Sequence, residues 1–311
     1  VRLEPPVRAA ALGLVLGALP ACGARERGFD GERAYAALVA QVELGPRVPG
    51  TDAHRRGLEY LQRELKPLAD RVSLHSFDGV CALDSSRVRF HNVVAVFHPE
   101  SRRRILFGAH WDSRPFADED PDPANRTRPV PGANDGASGV AVLLEVARAL
   151  EARPPRIGVD LVFFDGEDCG RPSEPAGFAL GSRQFVADHP GYRPGYAVVL
   201  DMVGRTGTRI PREGNSVAAA PQLVEAIWSV AREKGLSVLS DSLGPPWMDD
   251  HIAFLAAGIP AVDLIDAADP AWHTVADLPG NCSPATLAEV GRLLLALIER
   301  AEDAEGSGFP P

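Results

Sequence analysis

Apolar positions in this chain fall into two rhythms. Short continuous runs at 105–109, 158–164, 196–200 and 260–265 have the length and branching of buried strands. Between and after them, apolar residues recur at three- and four-residue steps. Val140, Leu143, Leu144, Ala147 and Leu150 form one stripe on a helix that follows Asp135, as a helix packed on a sheet requires. Tyr35, Leu38, Val39 and Val42 do the same in 29–44. A break at 45–50 (GPRVPG) precedes a second helix, which Asp52 is placed to cap and which carries Leu58, Leu61 and Leu65. Segments 71–77 and 87–97 read as strands, 223–234 and 283–300 as helices. Strands alternating with helices predict an α/β sandwich with a largely parallel sheet. No repeat or linker divides 29–303, and the Pro-rich loop 114–131 is too short for a boundary, so one catalytic domain is expected, followed by a flexible tail at 304–311.

Composition narrows the partners. At 45% hydrophobic and 24% charged the chain is an ordinary globular protein, and its net charge of -10 argues against nucleic acid or an anionic membrane surface as a partner. No run approaches the roughly 18 apolar residues of a membrane span. The N-terminus differs: Arg2 and Arg8 flank an apolar core at 9–19 that ends in Leu19-Pro20-Ala21-Cys22. This is the layout of a signal peptide at 1–21, of the lipoprotein type if Cys22 becomes a lipidated N-terminus, with a plain signal peptide as the other reading. Export to the periplasm or cell envelope follows, with a lipid on Cys22 as the sole tie to a membrane. If Cys22 is lipidated, Cys81, Cys169 and Cys282 remain, an odd set with no CxxC and no zinc-finger spacing, so no structural metal site or disulfide is assigned.

The chemistry collects where strands end. The four buried runs are followed by His110 and Asp112, by Glu167 and Asp168, by Asp201, and by Trp272-His273, while Asp135 opens the striped helix. Open α/β sheets bind ligands outside the carboxyl ends of their strands. One such ending is usually a turn or a cap. The recurrence of metal-capable side chains at each of them points instead to one cleft, with nitrogen and oxygen donors for a hard-to-borderline metal ion.

The segments GAHWDS, GANDGASGVAVLLEVARAL, VFFDGEDCG, GSRQF, VVLDMVG, MDDHIAFLAAGIPAVDLI and WHTVADL span roughly 45–300. Together they resemble the animal-type glutaminyl-peptide cyclotransferases (glutaminyl cyclases) of the zinc-dependent exopeptidase superfamily. The resemblance implies a three-layer sandwich with a central mixed, mostly parallel twisted sheet flanked by helices. It makes Asp135, Asp168 and His273 the ligands of one zinc ion (Zn2+) and Glu167 the acid/base. Asp201 and Asp249 become a hydrogen-bonded acidic pair beside it, and Trp272 a wall of the substrate pocket. The implied reaction, in a monomer, cyclises the N-terminal glutamine of peptides or proteins to pyroglutamate and releases ammonia.

A two-zinc aminopeptidase of the same superfamily would use His110, Asp135, Asp168, Asp201 and His273 as ligands, and Glu167 to activate water. Asp249 in place of a small polar residue, and Trp272 in place of Tyr, follow the cyclases. A third possibility, a peptide binder that has lost catalysis, is opposed by the intact Glu167 and ligand set. Two departures stand out: Glu167-Asp168 replaces a Glu-Glu pair, and 170–181 lacks the Trp that lines the animal pocket, with Phe178 as a substitute candidate. Asp112 is expected to orient His110 through its other ring nitrogen. His251 is expected to support or pack, Trp111 to line the cleft mouth or pack on the next loop, and His54, His75, His91, His98 and His189 to lie on the surface.

Overall fold

The computed structural model describes Val1 and residues 28–304, so the expected signal at 1–21, Cys22 and all but the first residue of the tail lie outside the described residues. In chain order the elements are α1 (Gly31–Glu43), α2 (Asp52–Leu65), β1 (Arg71–Val80), β2 (Arg87–Phe97), β3 (Arg104–His110) and α3 (Ala137–Ala152). There follow β4 (Gly158–Phe164), α4 (Leu180–Asp188), β5 (Ala197–Asp201), β6 (Ile210–Arg212), α5 (Gly214–Ala219) and α6 (Pro221–Glu233). The chain closes with β7 (Leu239–Leu243), α7 (His251–Ala256), β8 (Ala261–Ile265) and α8 (Pro284–Asp303).

The main sheet has the order β1-β2-β4-β3-β5-β8. β1, β2 and β4 pair antiparallel, while β4, β3, β5 and β8 run parallel, so the sheet is mixed and mostly parallel as expected. Side chains of a strand alternate between faces. Phe107, Ala109, Leu161, Phe163, Val198 and Leu200 therefore meet the core formed with α1, α3, α6 and α8. Leu106, Val162, Phe164 and Ala197 meet Phe185 of α4 and Phe254 of α7 on the other face. Burial on both faces is why these strands read as unbroken apolar runs. On α3, Val140, Leu143 and Leu144 are fully buried. At about 1.5–3 kcal/mol for each large aliphatic side chain, this burial pins the helix, and with it the position of Asp135 just before its first turn.

Local chemistry sets the element ends. Thr51, not Asp52, caps α2: its hydroxyl accepts from the His54 N–H, and Asp52 becomes the first helical residue. Ser283 caps α8 with Pro284 at the first helical position. This helix runs past 300 to Asp303, because buried Glu302 accepts from the Arg156 backbone N–H at 2.9 Å. β1 continues to Val80 rather than stopping at 77. The small sheet of β6 and β7 and the helices α4, α5 and α7 occupy stretches where the sequence pattern predicts no regular element.

Candidate metal centre and cleft

Each parallel strand delivers acidic or imidazole groups to one end of the sheet. His273 Nε2 lies 3.2 Å from Asp168 Oδ1 and 3.6 Å from Asp135 Oδ2. His110 Nε2 lies 3.1 Å from both Asp135 Oδ1 and Asp201 Oδ1. Asp135 thus turns one oxygen to each histidine, and both trios, Asp135-Asp168-His273 and His110-Asp135-Asp201, are tight enough to hold an ion. All five residues are buried. Asp168 Oδ2 is buried with no hydrogen-bond donor, an acceptor placed as a cation ligand would be. Two carboxylates and one imidazole fit zinc and leave one ligand position open, as catalytic zinc sites do.

The surroundings show how the chain holds these groups. Asp135 sits between two glycines with positive φ, Gly132 (+70°) and Gly136 (+94°). A Cβ on Gly136 would come within 2.7 Å of the Asp112 carbonyl oxygen, so the loop can fold this way only with glycine there. The Asp277 carboxylate accepts from the backbone N–H groups of Asn134 and Asp135 at 2.8 and 3.1 Å. Buried Arg47 donates to the carbonyls of Trp111, Pro131 and Gly132, stapling the end of β3 to the Asp135 loop. His273 itself has φ +54° and Met202, just after Asp201, +48°, uncommon values for side-chain-bearing residues that cluster here at the cleft.

Glu167 and Asp168 occupy a short 3-10 turn after β4. Asp112 accepts from both of their backbone N–H groups, at 3.2 and 3.3 Å. Its distance to His110 Nδ1 is 3.5 Å, and that nitrogen makes no hydrogen bond. Asp112 thus caps the Glu167-Asp168 turn while its Oδ1 faces the His110 ring. A disulfide from Cys169 to Cys81 ties the same turn to the end of β1. The loop 114–131 is more than a rim: Arg114, 1% exposed, pairs with Asp118 and reaches the Asp168 carbonyl and carboxylate. Asp118 Oδ1 also lies 3.6 Å from His273 Nδ1, beside the ring nitrogen that does not face Asp168.

His54 is not on the surface. It is 4% exposed, stacks on Trp111 at 4.3 Å, and bonds through Nε2 to Asp165 at 2.9 Å. Asp165 in turn accepts from the His91 N–H. Trp111 packs there, fully buried, and does not line the cleft mouth. Asp201 bonds to His110 and Asp249 accepts from the Asp250 N–H, while the Asp249 charge acts on Asp201.

The cleft above the trios is lined by Glu167, Asp201, Asp249, Phe178, Trp247 and Trp272, among others. Trp272 stacks on His273 at 4.0 Å and meets Trp247 edge-on at 5.8 Å. Burial, then the charges of Asp168 and Asp249, pushes the Glu167 carboxyl well above the usual range. Burial, with the Asp168 charge, lifts Asp135 to about 6. Burial likewise lifts Asp201 to about 6, against the opposing bond from His110, with Asp249 adding to the rise. Asp168 goes the other way: burial is outweighed by its bond from His273 and by the charges of His273 and Arg114. Adjacent carboxyls thus separate into one that holds a proton readily and one that stays ionised, the division acid/base chemistry beside a metal needs.

A family model for peptidase family M28 matches residues 92–298. Bos taurus glutaminyl-peptide cyclotransferase is 28% identical over 295 residues, covering 83% of this chain and 78% of that protein. Two solved structures from Bacteroides thetaiotaomicron, a glutaminyl cyclase bound to N-acetylhistamine and a leucine aminopeptidase precursor, are each 35% identical. Each superposes with a TM-score of 0.84 over 88% of this chain, covering 99% and 98% of those chains.

Proposed function

Because this chain belongs to peptidase family M28, and within it resembles glutaminyl cyclases over nearly all of the described residues, we propose that it is a zinc-dependent glutaminyl-peptide cyclotransferase. Its substrates are peptides or proteins with an N-terminal glutamine, converted to pyroglutamate with release of ammonia. The observation that carries the reading is the cleft itself. Glu167 faces a pocket walled by Trp272 and Trp247, with Asp249 beside it. Asp135, Asp168 and His273 would hold the zinc, which when bound supplies a Lewis acid for the γ-carboxamide oxygen.

The chain's own groups then do three things. The Trp272 and Trp247 rings confine the glutamine side chain in a folded conformer, so the α-nitrogen attacks the carbonyl carbon of its own side-chain amide without a bimolecular encounter. Glu167 takes a proton from the α-nitrogen as the new C–N bond forms, and gives it to the amide nitrogen as the old C–N bond breaks and ammonia leaves. Its raised pKa suits both halves of that transfer. Asp249 and Asp201 line the same cleft, and the Asp249 charge helps to hold Glu167 in its proton-accepting range.

A two-zinc aminopeptidase is the competing reading, supported by the His110-Asp135-Asp201 trio and by the oxygen of Asp135 turned to each histidine. In the cyclase reading His110 instead donates to the carboxylates around it. The test is to incubate the purified protein with a glutaminyl dipeptide and with leucine p-nitroanilide. Ammonia release from the first, with slow or no nitroaniline from the second, is expected. Rapid nitroaniline with no ammonia would establish the peptidase instead. The N-terminal Leu19-Pro20-Ala21-Cys22 supports export with a lipid on Cys22, and fatty-acid labelling that persists in Cys22→Ser would overturn it.

A further inference from the structure

Behind the cleft wall lies a second cluster, which shares only Asp249 with the cleft. Asp249 precedes α7, His251 begins it, and Asp263 sits in the middle of β8; they are 2%, 0% and 0% exposed. One donor atom from each lies within 4.8 Å of the other two. His251 Nε2 is 3.3 Å from Glu213 Oε2, and Nδ1 is 3.6 Å from Asp263 Oδ2. Glu213 accepts from the N–H groups of Asn215, Ser216 and Trp247 and from the Ser216 hydroxyl, a donor set that suits an ionised carboxylate.

Glu213 Oε2 faces Nε2, which leaves Nδ1 as the nitrogen turned toward the Asp263 carboxylate. His251 Nδ1 and Nε2, both oxygens of Asp263 and Asp249 Oδ2 are all buried without a hydrogen-bond partner. Burial and the Asp249 charge push the Asp263 carboxyl well above the usual range, so a proton shared with Asp249 is what a metal ion there would displace. Buried lone pairs gathered without donors repel one another. A positive ion among them turns every one of those interactions favourable.

We propose that Asp249, His251 and Asp263 form a second metal site, distinct from the catalytic trio, for a divalent cation of borderline hardness such as zinc. Two carboxylates balance the charge of the ion, the imidazole supplies the nitrogen, and Glu213 orients the ring as carboxylates behind metal-bound histidines do. The ion would fix Asp249, which lines the catalytic cleft. Glu213 also holds the backbone of Trp247 at 2.9 Å, so the same carboxylate steadies the aromatic wall.

The test is crystallographic and does not depend on activity. Crystals of the zinc-loaded protein, measured across the zinc absorption edge, should show anomalous density among Asp249, His251 and Asp263, besides that at Asp135, Asp168 and His273. Elemental analysis of Asp263→Asn, which preserves side-chain volume, should show one metal equivalent fewer than the wild type. Density at the catalytic trio alone in the wild-type crystal overturns the site, whether or not the variant folds. A second equivalent that survives Asp263→Asn but is lost in His110→Gln also overturns it, and points to the two-zinc peptidase arrangement. Failure of the ammonia assay would leave this result untouched, so the two readings fail separately.

Discussion

Replacing Arg47 should loosen the metal centre although Arg47 touches no candidate ligand. It is 1% exposed, and its guanidinium donates to Trp111 O at 3.1 Å, Pro131 O at 3.0 Å and Gly132 O at 2.6 Å. Arg47→Met keeps the apolar stem and removes all three donors. Gly132 O keeps the Ala137 N–H at 3.3 Å, so two carbonyls lose their donor, at about 1–3 kcal/mol each and roughly 2–6 kcal/mol together before relaxation. Part is returned, because burying the guanidinium is itself unfavourable: burial pulls its pKa down to about 10 against the neighbouring charges of Asp277 and Asp112. A net loss of about 2–3 kcal/mol is a substantial share of the ~5–15 kcal/mol that stabilises a domain. Arg47→Lys keeps the charge, but one nitrogen cannot span the fork, and a loss of about 1–3 kcal/mol is expected. Urea unfolding followed by Trp fluorescence measures both variants. Chelator competition measures zinc affinity, which should fall at least about tenfold in Arg47→Met as the Asp135 loop is freed. An Arg47→Met protein with the wild-type urea midpoint and wild-type zinc affinity would refute the reasoning.

Two further outcomes follow from the same structure. Burial, then the Asp135 charge, pushes Asp277 up to about 7, and Asp135 and Asp201 reach about 6. A carboxyl raised above its unfolded value of ~4 contributes stability that is full below that pH and is lost as pH rises through 6 to 7. Zinc-stripped protein should therefore lose urea stability between pH 5 and 8. Zinc-loaded protein should lose less, since the metal takes Asp135 ionised. A stripped protein that gains stability across this window would contradict those shifts. The Cys81–Cys169 bridge closes a separation of 88 residues. Changing both cysteines to serine should cost about 2–4 kcal/mol by urea titration, and should weaken zinc binding because Cys169 directly follows Asp168. Unchanged stability and affinity would show that the bridge does not hold the turn.

Legibility in the sequence belongs to what repeats along it. Buried parallel strands are continuous apolar runs, so their ends, and the polar residues just past them, follow from the sequence pattern alone. Asp135, Asp168, Glu167, Asp201 and His273 converge for that reason. Residues that act across the fold carry no such rhythm. Arg47 lies in a Gly-Pro break, and only the folded chain brings its fork to the carbonyls of 131 and 132. His54 sits in a polar stretch of α2, yet the end of β4 covers it through Asp165. β6 and β7 are short, and β7 is largely exposed, so they lack the alternation that marks longer strands. Asp112 stands past the strand end where the pattern puts it, facing the His110 ring, and also caps the Glu167-Asp168 turn, which spacing does not indicate. A carboxylate at that position can serve a ring nitrogen or a backbone turn, and spacing alone does not distinguish them.

The central claim is that Glu167 moves the proton while Asp168 helps to hold the metal. Ammonia release from a glutaminyl peptide, measured for the wild type and Glu167→Gln with zinc content determined on the same samples, tests it most directly. The variant should keep its zinc and lose at least about a hundredfold in rate, the usual size of a general acid/base contribution. Undiminished ammonia release would remove Glu167 from the reaction, and loss of zinc together with activity would mean that the roles of Glu167 and Asp168 are exchanged.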